Sequence, residues 1–408
     1  MSDNQQSYST VTAVLPKSRS GDVIDDLVSQ SGASALMWSA RGTLLQDRWW
    51  QRLVPPISPA KTMLQMLVPD SAVSSVIDTV VTTGRLHQQA TGAVYSTRCD
   101  NVYFGSEYHH WPEQEAQNNV FASSSVNQNL GIIYCMVSQE RSNRVSRAAI
   151  RAGAHGPIVH YCQGRGLRDR LGWLRITKEQ HQEILIVLAE RRHIEGVFDA
   201  MARAGEFHRP GHGLMFRMPV DSGMINLPSR ISTHHYDVDM QQIIRAIDHL
   251  SGHSHWRDAG LSESSSRVKS QRRNNSDPNS SALRDQIRLS AIVRHSDADA
   301  FTDLVLDAGA PGLTVAQTFF AAADEGCQIA GARVNEEYSL YRCILCQEVA
   351  DHVRRVIEDK AENRGITDVC VYANSVPQVA RYVAGVTDHR IQPVSLLPVA
   401  PEEPLRES

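Results

Sequence analysis

The chain repeats itself at an offset of 121 residues, and this repeat constrains its fold more than any other feature of the sequence. The stretches that begin at Leu64 and at Leu185 both consist of a strand-like apolar run followed by a helical pattern. Single residues also coincide at this offset, namely Gly84 with Gly205, His87 with His208, and Gly92 with Gly213. The 408 residues therefore contain at least two copies of one structural unit.

Both copies carry apolar residues at helical spacing just before the first shared glycine. These residues are Val73, Val76, Ile77, Val80 and Val81 in one copy, and Ile194, Val197, Phe198, Met201 and Ala202 in the other. The spacing predicts one buried helical face in each copy. Gly84 and Gly205 are predicted to cap these helices at their C-termini.

Each copy also has an earlier half of the same kind, with strands predicted over Thr10–Leu15 and Gly131–Val137 and a helix after each. A third, more divergent copy begins near Ile287, at an offset near 156 from the second. The order β-α-β, long loop, β-α-β is that of the ferredoxin-like unit. The predicted fold is therefore α+β, with three tandem βαββαβ modules.

The predicted modules occupy residues 8–112, 126–227 and 284–388. Residues 228–283 are predicted to form a linker, in which the segment from Val238 to Leu250 has the pattern of a short amphipathic helix. The Ser- and Arg-rich stretch from Arg257 to Ser281 is predicted to be disordered, because it contains few apolar residues. Residues 389–408 are predicted to form a flexible tail.

Composition narrows the functional classes. The 41 basic and 45 acidic residues give a net charge of −4, which disfavours nucleic acid as a partner. No apolar run approaches the roughly 18 residues of a membrane span, so direct membrane insertion is not expected. Seven cysteines, an odd number, and an N-terminus without the features of a secretion signal predict reduced thiols and a cytoplasmic protein.

The second module resembles the PII family of signalling proteins over the stretch from Gly164 to Asp221. This stretch has a long loop, an apolar strand, a helix, a glycine-containing turn and a final strand, in the family's order. The first module resembles the family less closely, and the third keeps the order of strands and helices without the glycines of the turn. PII proteins are trimers with ligand clefts between subunits. The resemblance therefore implies a pseudo-trimer formed within one chain, which would be a monomer in solution.

Positive charge is concentrated at the start of the long loop in the second module. Gly164, Arg165 and Gly166 open this loop, and Arg168 follows within a segment of five positive charges and one negative charge. Glycines beside an arginine let backbone N–H groups and a guanidinium reach phosphate oxygens, and the resemblance implies nucleotide phosphates or a small anion at this place. A solvated basic loop also accounts for these residues, since the spacing matches no Walker A sequence.

The turn formed by Gly211, His212 and Gly213 corresponds, by resemblance, to the PII loop that cradles phosphates. A plain turn that requires glycine for its backbone geometry is the alternative. The first module retains Gly92 in this turn, and its counterpart to the loop base consists of Arg41, Gly42 and Thr43. His87 and His208 occupy equivalent positions, where they either line two related clefts or make local hydrogen bonds. The remaining histidines show no spacing that predicts a metal site.

Three functions are compatible with these patterns. The leading hypothesis is a non-catalytic regulator that binds ATP, ADP or AMP, with or without bicarbonate, in an intermodule cleft. By resemblance it would act on a transporter or a metabolic enzyme of nitrogen or inorganic-carbon metabolism through its long loops. The second hypothesis is a ligand-free accessory subunit of such a complex. The third is a slow nucleotide hydrolase, although the sequence has no hydrolase motif.

Overall fold

The computed structural model of the chain describes residues 6–31, 35–43, 60–88, 91–108, 126–166, 181–227, 282–321, 327–329, 332–334 and 336–381. The linker helix, the Ser- and Arg-rich stretch and the tail, all predicted from the sequence, lie outside these residues. The described elements follow the order βαββαβ three times, with one additional strand at the end of the second repeat and two short strands within the third.

The bounds of the elements define three units. The first contains β1 (Tyr8–Pro16), α1 (Ser20–Ser31), β2 (Ala35–Gly42), β3 (Ala60–Pro69), α2 (Val73–Thr83) and β4 (Gly92–Phe104). The second contains β5 (Leu130–Ser138), α3 (Gln139–Arg151), β6 (Ile158–Gly166), β7 (His181–Glu190), α4 (Ile194–Gly205), β8 (Leu214–Val220) and β9 (Ser222–Asn226). The third contains β10 (Ala282–Arg294), α5 (Ala298–Asp307), β11 (Gly312–Ala321), β12 (Cys327–Ile329), β13 (Ala332–Val334), β14 (Glu336–Leu345), α6 (Gln347–Lys360) and β15 (Val369–Arg381).

Each unit has the same antiparallel strand order. The orders are β2-β3-β1-β4, β6-β7-β5-β8 and β11-β14-β10-β15, so the first strand of every unit lies between its third and fourth strands. This is the strand order of the ferredoxin-like unit.

The edge strands join the units to one another. The end of β2 pairs with the start of β6 (Arg41 with Val159), and the end of β6 pairs with the start of β11. The end of β11 pairs in turn with the start of β2 (Phe319 with Met37), so the three second strands form a closed ring. The fourth strands form a second ring, in which β4 pairs with β15, β15 with β8, and β9 with β4. Main-chain hydrogen bonds therefore connect all three units.

Each sheet buries both of its faces. One face packs against the two helices of its own unit, as the alternation in β1 shows, where Val11, Ala13 and Leu15 face α1 and α2. The other face contributes to one core shared by all three units, in which Tyr95, Tyr134 and other aromatic side chains are buried. Period-2 alternation places these two sets of side chains on opposite faces of one strand.

The buried helical faces agree with the sequence prediction, and Gly84 is the C-cap of its helix as predicted, whereas Gly205 is the last helical residue and Glu206 is the cap. Val76, Ile77, Val80 and Val81 are buried on α2, and Ile194, Val197, Phe198 and Met201 on α4. The left-handed residues after these helices are Arg85 and Glu206, each with φ of 52°. A Cβ on Gly84 would lie 2.5 Å from the carbonyl oxygen of Val80, and one on Gly205 would lie 2.2 Å from the Phe207 ring. Both glycines therefore relieve crowding, and neither one adopts the left-handed cap conformation.

Candidate functional site

The loop base of the second unit lies at its junction with the third unit. Gly164 pairs with Thr314, Arg165 with Leu313 and Gly166 with Gly312 along the β6–β11 contact. The Arg165 Nη1 atom is 2.6 Å from the Oδ1 atom of Asp299 and 3.2 Å from the Thr302 hydroxyl, both on α5. The Asp299 side chain is 91% exposed, so this ion pair is open to solvent. Arg168 lies outside the described residues.

The loop base of the first unit makes a different contact, at the junction with the second unit. The Arg41 Nη2 atom donates to both carboxylate oxygens of Glu183, at 2.9 and 3.0 Å, and the Glu183 side chain is fully buried. Gly42 pairs with Ile158, and the Thr43 N–H donates to the carbonyl oxygen of Pro157. Arg41 therefore neutralises a buried charge, and its guanidinium is committed to that carboxylate.

The shared glycines of the two turns have a backbone role. A Cβ on Gly213, which has φ of +96°, would lie 1.9 Å from the carbonyl oxygen of Met136. A Cβ on Gly92 would lie 2.0 Å from the carbonyl oxygen of Val14, which lies on the equivalent strand of the first unit. Both positions need glycine because the fourth strand begins against the end of the first strand. Their repetition is thus explained by packing, without reference to a ligand.

An arginine that the sequence patterns did not single out lies against the turn of the second unit. The Arg141 guanidinium, in the first turn of α3, is within 2.7 and 2.9 Å of the two ring nitrogens of His212. The Nδ1 atom of His212 is also 3.3 Å from the carbonyl oxygen of Gly205. Gly211 has φ of +76° and open space around its Cα. The signal in the sequence is an arginine three residues after the end of a buried strand, at the end of the sheet where this turn lies.

The two glycine-containing segments of the second unit lie at the same end of its sheet. Since β6 ends where β8 begins, Arg165 and Gly213 both border this end. The order β6-β7-β5-β8 separates them by three strand spacings, about 14 Å. Both segments therefore lie at the same end of the sheet, and only an extended ligand could contact both of them at once.

The first unit has a buried lysine beside its corresponding turn. Lys61 donates from Nζ to the carbonyl oxygen of Thr91 at 2.7 Å, and burial lowers the pKa of this ammonium group. The second unit has Gln182 at the equivalent position, the start of its third strand. Lys61 pairs with Pro16 at the end of the first strand of its unit, and Gln182 pairs in the same way with Ser138. His87 and His208 are exposed on these turns, directly after the buried residues Leu86 and Phe207.

A cavity of about 340 Å³ lies at the junction of the first and third units. Asp100 and Asn101 line it from β4, and Gln347, Asp351 and Arg354 line it from α6. Its volume lies at the lower end of the range for small-molecule sites. Two carboxylates against one guanidinium disfavour a phosphate here, because like charges repel at short range. The sequence patterns gave no indication of this cavity, which needs strands from two units.

Two further findings concern the described part of the chain. No group of three or more His, Cys, Asp or Glu side chains there has the arrangement of a metal site. None of its helices has both the length and the apolar character needed to cross a membrane.

No family model and no curated protein matches the sequence. Among solved structures, the chain is similar to Arabidopsis thaliana PII bound to citrate, with 17% identity and a TM-score of 0.19 over 23% of this chain and 78% of that one. It is also similar to aspartate kinase from Synechocystis, with 7% identity and a TM-score of 0.19 over 90% of this chain and 43% of that one. A third match is an unknown protein from Galdieria sulphuraria, with 10% identity and a TM-score of 0.16 over 53% of this chain and 98% of that one.

Proposed function

We propose that the chain is a non-catalytic regulatory protein that binds an adenine nucleotide at the junction between its second and third units. Its three units would form, within one polypeptide, the arrangement that PII proteins build from three subunits. The two closed rings of edge strands support this arrangement, since each unit contacts both of the others. The long loop from Arg165 onward would carry the signal to a target protein, a transporter or a metabolic enzyme of nitrogen or inorganic-carbon metabolism.

The observation that carries the proposal is the solvent-exposed ion pair of Arg165. A guanidinium paired with a 91% exposed aspartate exchanges that partner for a phosphate at small cost, because exposed ion pairs contribute little to stability. The Thr302 hydroxyl accepts from Arg165 and donates to the carbonyl oxygen of Ala298, so it orients the guanidinium. Arg141 and the turn of Gly211 and Gly213 lie at the same end of the sheet as Arg165, at a distance that the other end of a bound nucleotide could reach.

Calorimetric titration of the full chain with ATP, ADP and AMP tests the proposal. We expect binding of one nucleotide per chain and a loss of affinity of about tenfold or more in Arg165→Ala, because a charge-assisted hydrogen bond contributes roughly 1.5–3 kcal/mol. Arg141→Ala should weaken binding as well. Arg192→Ala is the matched control, since Arg192 is an exposed arginine of the same unit at the opposite end of its sheet.

Absence of heat with all three nucleotides would overturn the proposal, and so would equal affinity in the wild type and Arg165→Ala. Incubation with the bound nucleotide, followed by chromatography of the products, tests the non-catalytic part. Recovery of the intact nucleotide is expected, whereas steady turnover would make the chain an enzyme. A pull-down from the native host with and without nucleotide would then identify the target.

A ligand-free accessory subunit is the second candidate, and a specific observation favours it. Arg41, Gly92 and Gly213, three residues with which the sequence suggested a phosphate site, are each explained by packing. If all titrations are silent and the chain still co-purifies with a partner complex, this second function replaces the first.

A further inference from the structure

The core shared by the three units contains two buried arginines. Arg288 on β10 and Arg342 on β14 point into this core, and each residue is 3% exposed. Arg288 donates to the amide oxygen of Asn374 from Nε at 3.1 Å and from Nη2 at 2.6 Å. Both guanidinium carbons also lie near the ring of Tyr134, at 5.2 and 5.7 Å from its centroid. Two full positive charges therefore lie within one enclosed region.

Neither arginine has a carboxylate partner within the described residues. Only two carboxylate side chains are buried there, and each is paired with another arginine: Glu183 with Arg41, and Asp368 with Arg294. The Cys162 thiol and the Tyr372 hydroxyl nearby are neutral at physiological pH, since burial raises the pKa of each to about 12. The two guanidinium charges are thus not neutralised by the side chains around them.

Several polar atoms next to Arg342 also have no hydrogen-bond partner in the described structure. They are the Nε and Nη1 atoms of Arg342, the hydroxyl of Ser290, the Nε1 atom of Trp38 and the Nε2 atom of His160. Ser290 is the direct cross-strand neighbour of Arg342, so both side chains lie on the same face of the sheet. The Trp38 ring lies 6.0 Å from the Arg342 guanidinium carbon and 5.7 Å from the His160 ring.

These residues come from all three units. Trp38 lies on β2 of the first unit, His160 on β6 of the second, and Ser290 and Arg342 on the third. Buried polar atoms are almost always hydrogen-bonded in native proteins, and a buried charge without a partner is more costly still. A cluster of such atoms around a guanidinium therefore indicates an occupant.

We propose that this cluster binds one small inorganic anion where the three units meet. The unpartnered atoms of Arg342, Ser290 and Trp38 are N–H and O–H donors beside two guanidinium ions, which is the chemistry that recognises a halide or a small oxyanion. The His160 Nε2 atom is an acceptor, because the Nδ1–H of this neutral imidazole donates to the carbonyl oxygen of Tyr161, and it faces the guanidinium and not the anion. The four residues of the cluster are at most 4% exposed, so the occupant is enclosed and a nucleotide is excluded. The bound anion would join the three units from within, at a place separate from the exposed ion pair of Arg165.

Thermal unfolding of the full chain tests the proposal. In potassium gluconate at fixed ionic strength, gluconate is exchanged stepwise for chloride, nitrate, bicarbonate, sulfate or phosphate. We expect at least one of these anions to raise Tm by about 2–5 °C along a saturating curve, since a ligand that binds only the folded state stabilises it. General salt effects through the solvent rise without saturation.

Arg342→Met is the decisive variant, because methionine fills a similar volume without charge. It should fold in gluconate and lose the saturating rise in Tm. Arg192→Met, which changes an exposed arginine, should keep the full rise, and so should Arg165→Ala, which separates this site from the nucleotide site. Equal curves for the wild type and Arg342→Met would overturn the proposal.

Crystals of the wild-type chain grown in bromide give a second measurement that does not depend on any variant. We expect one anomalous peak within about 4 Å of the Arg342 guanidinium, a contact distance for an ion pair. Ordered water at this position, without an anomalous peak, would show that solvent satisfies the donors, and it would overturn the proposal even if the variant failed to fold.

Discussion

Two arginines near the ends of corresponding strands make different contacts in two neighbouring junctions, although the pairing registers make Gln163, and not Arg165, the counterpart of Arg41. Arg41, at the end of β2, neutralises the fully buried Glu183 of the second unit. Arg165, at the end of β6, pairs with Asp299, whose side chain is 91% exposed. Both arginines precede a glycine and open a long loop, so the sequence motif does not distinguish them. The partner decides their role: a buried carboxylate makes Arg41 part of the fold, whereas an exposed one leaves Arg165 free to exchange it for a ligand.

The largest effect is expected where the pair is buried. Arg41→Ala leaves the Glu183 carboxylate inside the protein without a counter-charge, and it should lower the free energy of unfolding by about 3–5 kcal/mol. The midpoint of urea unfolding measures this loss. Replacing both partners, Arg41→Met with Glu183→Leu, should restore most of the stability, because an apolar pair of similar volume needs no counter-charge. A loss below about 1 kcal/mol in Arg41→Ala would remove the difference between the two junctions.

The turn of the second unit offers a similar contrast between two glycines. Gly213→Ala should cost about 2–4 kcal/mol, since its backbone has φ of +96° and the new Cβ would approach the Met136 carbonyl oxygen to 1.9 Å. Gly211→Ala, with φ of +76° and open space, should cost only about 1–2 kcal/mol. Gly92→Ala in the first unit should destabilise through the same contact as Gly213→Ala. Urea midpoints of the three variants check this ranking, and equal losses for Gly211 and Gly213 would contradict it.

The sequence predicts the parts of the fold that depend on local spacing. Alternation along strands and the 3-4 spacing of Val76, Ile77 and Val80 report which side of an element is buried, so the three units and their helices follow from neighbours in the chain. The junctions do not follow, because Arg41 and Glu183 are separated by 142 positions and no local pattern links them. The sequence pattern identifies the repeated glycines of the turns. The reason that glycine is required there, a carbonyl oxygen of another strand close to the Cα atom, is found only in the three-dimensional structure.

The buried arginines illustrate the same limit more clearly. Arg342 stands in the apolar run YSLYRCILC, where its charge gives no sign of the partner that it faces. Its surroundings, Trp38 and His160, come from strands of two other units. A pattern read along one chain segment therefore identifies the strand correctly and misses the site to which it contributes.

Acid should destabilise the chain through His160, which lies in the core where the three units meet. His160 follows Val159, the residue that pairs with Arg41, and burial lowers the pKa of its imidazole from the ordinary 6.5 to about 3. The unfolded chain therefore takes up a proton as the pH falls below about 6.5, and the folded chain does not. This contribution to stability is complete above about pH 6.5 and decreases on acidification, by about 2 kcal/mol at pH 5.

Urea midpoints at pH 7 and pH 5 measure this effect. The wild type should lose more stability over this interval than His160→Gln, in which no proton is taken up at this position. Exposed His208 serves as the matched control, since His208→Gln should keep the full loss. The same acid-induced loss in wild type and His160→Gln would assign it to other groups.

The smallest effect on stability is expected for Arg165, and it completes the contrast with Arg41. An exposed ion pair gains little from its charges, because water solvates both partners when they are separated. Arg165→Ala should therefore lower the free energy of unfolding by less than about 1 kcal/mol.

A double-mutant cycle of Arg165→Ala and Asp299→Ala isolates the pair from other contacts of either residue, and we expect a coupling of about 0.2–1 kcal/mol. A coupling of about 3 kcal/mol would make this junction equivalent to the first, and a phosphate would then have to displace a partner as firmly held as Glu183. A small coupling leaves the guanidinium available at little cost, which is the property that a reversible nucleotide site between the second and third units requires.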